Sequence, residues 1–240
     1  MKAFRSALAF LTTIPVPSAD LTADDFAQAS RWYSTVGLII GLLLVLGDQA
    51  LQYLLPERVT AVLLLALWIA LTGALHWDGL LDCFDALLAP VPPERRLEIL
   101  KDVHIGAFAA VGGGVMLLLY VALLLELRQT ERIWALLLAP IIARWLVTYA
   151  QARWRYARSS GLGTFMRLAP QTMLIGASPL LLMLFGGWRP IIVFACTFLL
   201  IHLLAHWMAR SLGGGLTGDC YGAICEGPKT CLRKIFSRNQ

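Results

Sequence analysis

Long apolar runs with almost no charge inside them are the feature that most limits what this chain can fold into. The runs at about 35–55 and 107–126 reach the roughly 18–20 residues that a helix needs to cross a bilayer. In hydrocarbon each backbone N–H and C=O must be satisfied within its own segment, so such runs fold as helices. Only 15% of the 240 residues are charged and 58% are hydrophobic, whereas a soluble domain carries about a quarter charged residues. Too little polar sequence is left to cover a soluble globule. The expected fold is all-α: a polytopic membrane helix bundle in a single integral membrane domain over residues 1–240.

Six transmembrane helices are expected, at about 35–55, 60–76, 107–126, 133–150, 173–187 and 190–207. An interfacial N-terminal arm, 1–34, precedes them. Residues 3–14 read as a short amphipathic helix, and Pro15 and Pro17 end it without a cleavage site. Thr22 is placed to cap a second interfacial helix with Asp24 and Asp25 in its first turn. A short tail, 227–240, closes the chain. Lys and Arg gather in the arm and in the connections 77–106, 151–172 and 208–240, and few lie in the turns near 56–59, 127–132 and 188–189. By the positive-inside rule, both termini and the polar connections face the cytoplasm. The formal net charge of +5 suits anionic membrane lipid and calls for no nucleic acid. No GxxxxGK phosphate loop occurs, which argues against an ATP-driven motor.

The five cysteines, Cys83, Cys196, Cys220, Cys225 and Cys231, form no CxxC pair and read as reduced thiols. Gly37 and Gly41 lie four apart in the first run, and "GAFAAVGGG" opens the third. Small residues at this spacing let helices approach closely in lipid and allow a homodimer; the other reading is a helix surface opened for substrate.

Three acids stand out against this background. In "HWDGLLDCFDALLAP", Asp78, Asp82 and Asp85 fall at i, i+4 and i+7, along one helix face. Their mutual repulsion at the edge of a membrane is costly unless a cation joins them. Mg²⁺ takes oxygen ligands and is commonly held by one or two carboxylates plus substrate phosphates. The bland reading is a wet helix end. Gly79 clears backbone beside Asp78 for a phosphate, and His76 reads as a positioning residue. In "ILKDVHIGAF", Lys101 is placed to meet a phosphate and Asp102 to support a ligand or a metal, with His104 and Gly106 beside them; a solvated loop is the alternative. In "GGGLTGDCYGAICE", Asp219 and Glu226 share a face if helical, and Gly215, Thr217 and Gly218 form a candidate polar turn near a phosphate. Gly213–Gly215 also read as a hinge. Arg144, inside the fourth run, needs an acid of the site, a substrate phosphate or an interhelical carboxylate as partner.

Together these segments give the chain a family likeness. It resembles cobalamin synthases, the adenosylcobinamide-GDP ribazoletransferases, almost end to end. "FLTTIPVP" at Phe10–Pro17, "GALHWDGLLDCFDAL" at Gly73–Leu87, "EILKDVHIGAF" at Glu98–Phe108 and "GGGLTGDCYGAICE" at Gly213–Glu226 match in order and spacing. The resemblance implies a bacterial inner-membrane enzyme that uses Mg²⁺. Such an enzyme joins adenosylcobinamide-GDP to alpha-ribazole or its 5'-phosphate, releasing GMP and forming adenosylcobalamin or its 5'-phosphate. It also implies metal roles for Asp78, Asp82 and Asp85, with Asp102, Asp219 and Glu226 as further candidates. In such a transfer the acceptor hydroxyl must lose a proton, and Asp82 or Asp85 is the expected base. Glycines such as Gly106 and Gly214 are expected to make room for the large donor. The sequence departs from the family where Pro228 interrupts the usual continuation past Glu226. A CDP-alcohol phosphotransferase-like lipid synthase is the alternative, but no Ala-Arg pair follows Asp78-Gly79. A small-molecule transporter is a more distant one, since here the acids cluster at span ends rather than at midplane.

Overall fold

The computed structural model describes residues 1–17, 20–158 and 170–231, the side chains of Pro170, Gln171 and Cys231 excepted. Its described elements are helical, as the sequence required. Helix α1 (Lys2–Leu11) buries Ala3, Ser6, Ala7 and Leu11, one stripe of an amphipathic helix. Helix α2 (Ala23–Ala27) starts with the expected cap: the Asp25 N–H donates to Thr22 Oγ1, and the Thr22 N–H donates to the Asp25 carboxylate. A 3₁₀ turn, Ala29–Trp32, then leads into α3 (Tyr33–Leu54).

Helix α3 packs antiparallel on α8 (Gln129–Arg153), the hub of the bundle, whose Leu136, Leu138, Ile141, Ile142 and Leu146 are all exposed by 1% or less. Gly37 meets the Pro140 carbonyl, and a Cβ on Gly41 would lie 2.6 Å from the Leu137 carbonyl oxygen. These glycines therefore serve helix approach, the first of the two readings. Where the two helices reach the far end of the bundle, Arg132 and Asp48 form a buried ion pair at 2.6 Å, 1% and 0% exposed. Gln52 donates to the same carboxylate, and Arg132 also donates to the Leu124 carbonyl.

Among the described residues six spans are not found. Four of the described helices are long and apolar enough to cross a membrane: α3 with its leading turn, α7 (Ala107–Leu125), α8 and α10 (Trp188–Ser211). A fifth exists only if α4 (Glu57–Leu71) and α5 (Leu75–Leu88), bent by 95°, count as one. The run expected at 60–76 breaks because Thr72 Oγ1 bonds back to the Trp68 carbonyl, while Gly73 and Ala74 take left-handed φ of 57° and 55°. That leaves α4 at about 22 Å, short of the hydrocarbon core. The run expected at 173–187 divides into α9 (Pro170–Gly176) and a 3₁₀ segment, Ser178–Gly186. Pro179 supplies no N–H and disfavours helix in the residue before it. This broken path runs the length of the bundle, from Gly176 beside Arg31 to Gly186 beside Trp134.

After α10 the chain turns back into the bundle through α11 (Gly218–Glu226) and α12 (Pro228–Cys231). Pro228 begins that last turn, and Pro228 and Lys229 are buried while Thr230 is half-buried. Lys229, counted on sequence among the cytoplasmic cations, is only 9% exposed. The remainder of the tail, 232–240, lies outside the described residues.

Candidate functional site

Two backbone devices assemble one end of the bundle. The first joins Arg155–Ala157 to Gly214–Leu216. The Leu216 N–H donates to the Arg155 carbonyl at 3.0 Å, and the Ala157 N–H donates to the Leu216 carbonyl at 2.8 Å. Gly213 and Gly214 adopt φ of 78° and 103°, which turns their carbonyls toward the Arg155 guanidinium. The second device is the crossing of α5 over α11. A Cβ on Gly79 would lie 2.8 Å from the Asp219 carbonyl oxygen, and one on Gly222 would lie 2.9 Å from that of His76. Cys83 and Cys220 are buried at this crossing and remain free thiols.

These devices set Arg158 against Asp219. Arg158 Nη2 donates to the Asp219 carboxylate at 2.7 Å and to the Leu100 carbonyl at 2.9 Å; Thr217 Oγ1 donates to the same carboxylate at 3.1 Å. Leu100 follows α6 (Pro93–Ile99), so Arg158 ties three separate stretches together. Reading the sequence missed Arg158 as a site residue; it stood out only as one more cation in the 151–172 connection.

Asp78, Asp82 and Asp85 lie on α5 and open together into a cleft of about 280 Å³, with Lys101, Asp102 and His104 at its edge. The expected spacing and the expected shared face are both observed. The three carboxylates differ in their partners. Asp85 accepts the Gly106 N–H at 2.7 Å and the Ala109 N–H at 2.9 Å, one on each oxygen. It thereby closes the N-terminus of α7, where the helix dipole favours negative charge. Among the described residues no hydrogen bond reaches the carboxylate of Asp78 or of Asp82. Asp102 accepts from the His104 backbone and pairs with its Nδ1 at 2.6 Å. Those contacts hold the Asp102 carboxyl below the ordinary carboxylate range.

A second cavity of about 340 Å³ lies on the other side of Asp78, which lines both. His76, Gly79, Gly218 and Asp219 face it, together with four aromatic residues, Phe10, Tyr33, Tyr156 and Tyr221, that the sequence did not single out. They come from stretches far apart in the chain, and no local spacing marks them.

Several expected site residues lie elsewhere. Glu226 lines neither cavity. It is 3% exposed, accepts from Lys229 Nζ at 2.6 Å, and its backbone carbonyl accepts from the Tyr120 hydroxyl at 3.0 Å. The Lys229 ammonium also sits over the Trp68 ring at 4.3 Å. Arg144 is 1% exposed, close enough to His76 to act on it electrostatically, and has no ion-pair partner among the described residues. The interhelical Arg–carboxylate brace exists, but Arg132 makes it. Gly215 is pressed against the Arg155–Ala157 backbone, and Thr217 is fully buried. Gly106 and Gly214 do not leave open room. A Cβ on Gly106 would lie 2.6 Å from the Asp85 carboxylate, and one on Gly214 would lie 3.1 Å from the Arg155 guanidinium.

Among the described residues no three acid, histidine or cysteine side chains converge as a ready-made metal cage. The acidic cleft offers carboxylate oxygens and no thiolate, with Asp78 and Asp82 uncommitted. That donor set fits a hard cation whose shell is completed by substrate phosphates, and it does not fit a closed zinc site.

Fold and site together define a multi-pass helical membrane protein with paired acidic and aromatic cavities at one end. Comparison with known proteins narrows the class. The model of the cobalamin-5-phosphate synthase family matches residues 3–235, and the chain belongs to that family. It is 42% identical over 230 residues to an adenosylcobinamide-GDP ribazoletransferase of Desulfitobacterium hafniense, covering 92% of this chain and 90% of that one. The enzyme of the same name from Deinococcus radiodurans is 42% identical over 225 residues, covering 93% and 81%. That of Brevibacillus brevis is 34% identical, covering 98% of each chain. No solved structure matches.

Proposed function

We propose that the acidic cleft and the cavity beside it carry out the transfer named by these relatives. The chain is a ribazoletransferase: it moves the adenosylcobinamide phosphate moiety from adenosylcobinamide-GDP to alpha-ribazole or its 5'-phosphate. The products are GMP and adenosylcobalamin or its 5'-phosphate. The observation that carries this reading is the convergence of Asp78, Asp82 and Asp85 on one cleft with Lys101 at its rim.

A ribose hydroxyl of the acceptor attacks the phosphorus that bears the cobinamide. An O–P bond forms, the P–O bond to GMP breaks, and GMP leaves with the electron pair. Asp82 accepts the hydroxyl proton, because both oxygens of Asp85 already take backbone N–H groups. Lys101 meets the charge of the diphosphate. Asp78 and Asp82 would hold Mg²⁺, with Asp85, Asp102 and Asp219 as further carboxylates, and the ion would supply positive charge against the diphosphate. His76, Gly79 and Gly218 border the acceptor side. Arg95, Arg96, Lys101, Arg153 and Arg155 crowd this end of the bundle, which supports a cytoplasmic active site and cytoplasmic termini in a bacterial inner membrane.

Purified protein given Mg²⁺, adenosylcobinamide-GDP and alpha-ribazole is expected to release GMP and form a cobalamin. Absence of GMP, or transfer only from a CDP-alcohol, would overturn the assignment.

A further inference from the structure

The reaction needs two substrates of very different size, and the structure has two cavities that share one carboxylate. The donor carries a corrin and a guanosine diphosphate, which together far exceed 340 Å³. The acceptor is a single ribonucleoside whose base is a dimethylbenzimidazole. That base is flat and hydrocarbon-rich, and it lacks the amino and keto groups through which guanine needs polar partners. The larger cavity matches the acceptor. Four aromatic rings border it, from α1, α3, the connection after α8, and α11. Phe10 and Tyr33 are stacked with centroids 6.2 Å apart. Its polar lining is His76, Asp78, Gln151, Arg158 and Asp219, with Arg158 and Asp219 already paired to each other, and the His76 ring, only 5% exposed, has an Nδ1 without a partner. An apolar cavity with a few placed polar groups, within the range of about 300–1,000 Å³, is the usual form of a small-molecule site.

We infer that the cavity bounded by Phe10, Tyr33, Gln151, Tyr156 and Tyr221 is the acceptor pocket. In it the benzimidazole lies among the aromatic rings and the ribose points to Asp78. This deepens the function proposed above and rests on it for the identity of the ligand. Asp78 marks the partition: the ribose hydroxyl approaches from the aromatic side, and the phosphoryl group is held on the acidic side. His76 Nδ1 is a hydrogen-bonding group for the ribose. Arg158, bonded to Asp219 and to the Leu100 carbonyl, is the wall between the two spaces.

Equilibrium dialysis of alpha-ribazole against the purified full chain, without donor, tests the pocket directly. Tyr156→Ala removes a stacking face and is expected to weaken binding about tenfold or more. Tyr156→Phe keeps that face and is expected to stay within about twofold of the parent chain. In turnover assays Tyr156→Ala is expected to raise KM for alpha-ribazole and to leave KM for adenosylcobinamide-GDP within about twofold. Should Tyr156→Ala fail to fold, Phe10→Ala, on a different element, makes the same prediction. Unchanged ribazole binding in a folded variant would overturn the pocket, as would a rise confined to the donor KM. Dialysis requires no turnover. A chain that bound alpha-ribazole but released no GMP would therefore sink the assigned reaction and leave the pocket standing.

Discussion

Asp82 and Asp85 lie less than one helical turn apart, yet their surroundings give them different work. Asp85 spends both oxygens on the first turn of α7, and Asp82 spends neither. Asp82→Asn is therefore expected to lower GMP release by about 10²–10⁴-fold, the usual worth of a positioned proton acceptor, while leaving the unfolding midpoint in detergent unchanged. Near-normal turnover would remove Asp82 from the mechanism. Asp85→Asn swaps an acceptor oxygen for an amide donor facing a backbone N–H. That is expected to destabilise the fold by roughly 2 kcal/mol, seen as a lower denaturant midpoint, with turnover falling as α7 loses its anchor. Gly106→Val presses on the same carboxylate, so it is expected to impair α7 and turnover together rather than use of the large donor alone.

At the scale of elements, the acids were legible in the sequence because their message is local. The i, i+4, i+7 spacing and the Thr22 cap need only the helical period. The approach of Gly37 and Gly41 is likewise a property of one run. Partners distant in sequence were not legible. Nothing near Arg158 announces Asp219, and nothing near Asp48 announces Arg132 84 residues away. Hydropathy also failed at 60–76 and 173–187, because a window average does not register that Gly73 and Ala74 turn left-handed or that Pro179 cuts a helix. The α5–α11 crossing was invisible for the same reason, yet it decides where Asp219 stands. Gly79→Ala forces a methyl group against the Asp219 backbone and is expected to cost about 1–3 kcal/mol and to lower turnover. A variant with full activity and an unchanged midpoint would show that the close approach is dispensable. Asp48→Leu is expected to cost about 3–5 kcal/mol by stranding Arg132. Adding Arg132→Leu should restore much of that loss, with both substrate KM values unchanged in the double variant.

At the scale of the molecule, the far end is a fixed brace and the working end is held open. The far end closes on the Asp48–Arg132 pair, buried to 1% or less, whereas the cleft exposes three acids without a preformed metal cage among the described residues. An open set of carboxylates binds Mg²⁺ weakly by itself and repels a diphosphate by itself; each is the missing partner of the other. Metal and donor are therefore expected to bind cooperatively, and linkage makes the effect reciprocal: whatever factor Mg²⁺ adds to donor affinity, the donor adds to Mg²⁺ affinity. Donor titrations with and without Mg²⁺, followed by Mg²⁺ titrations with and without donor, measure both sides of that cycle. In the parent chain the two factors should agree and exceed about tenfold, or about 1.4 kcal/mol of coupling. In Asp78→Asn both should shrink together. Chelation is expected to stop GMP release without unfolding the chain, since the bundle is held by its apolar core and not by the ion. Continued turnover after all divalent ions are removed would refute the cleft as a metal-assisted diphosphate site.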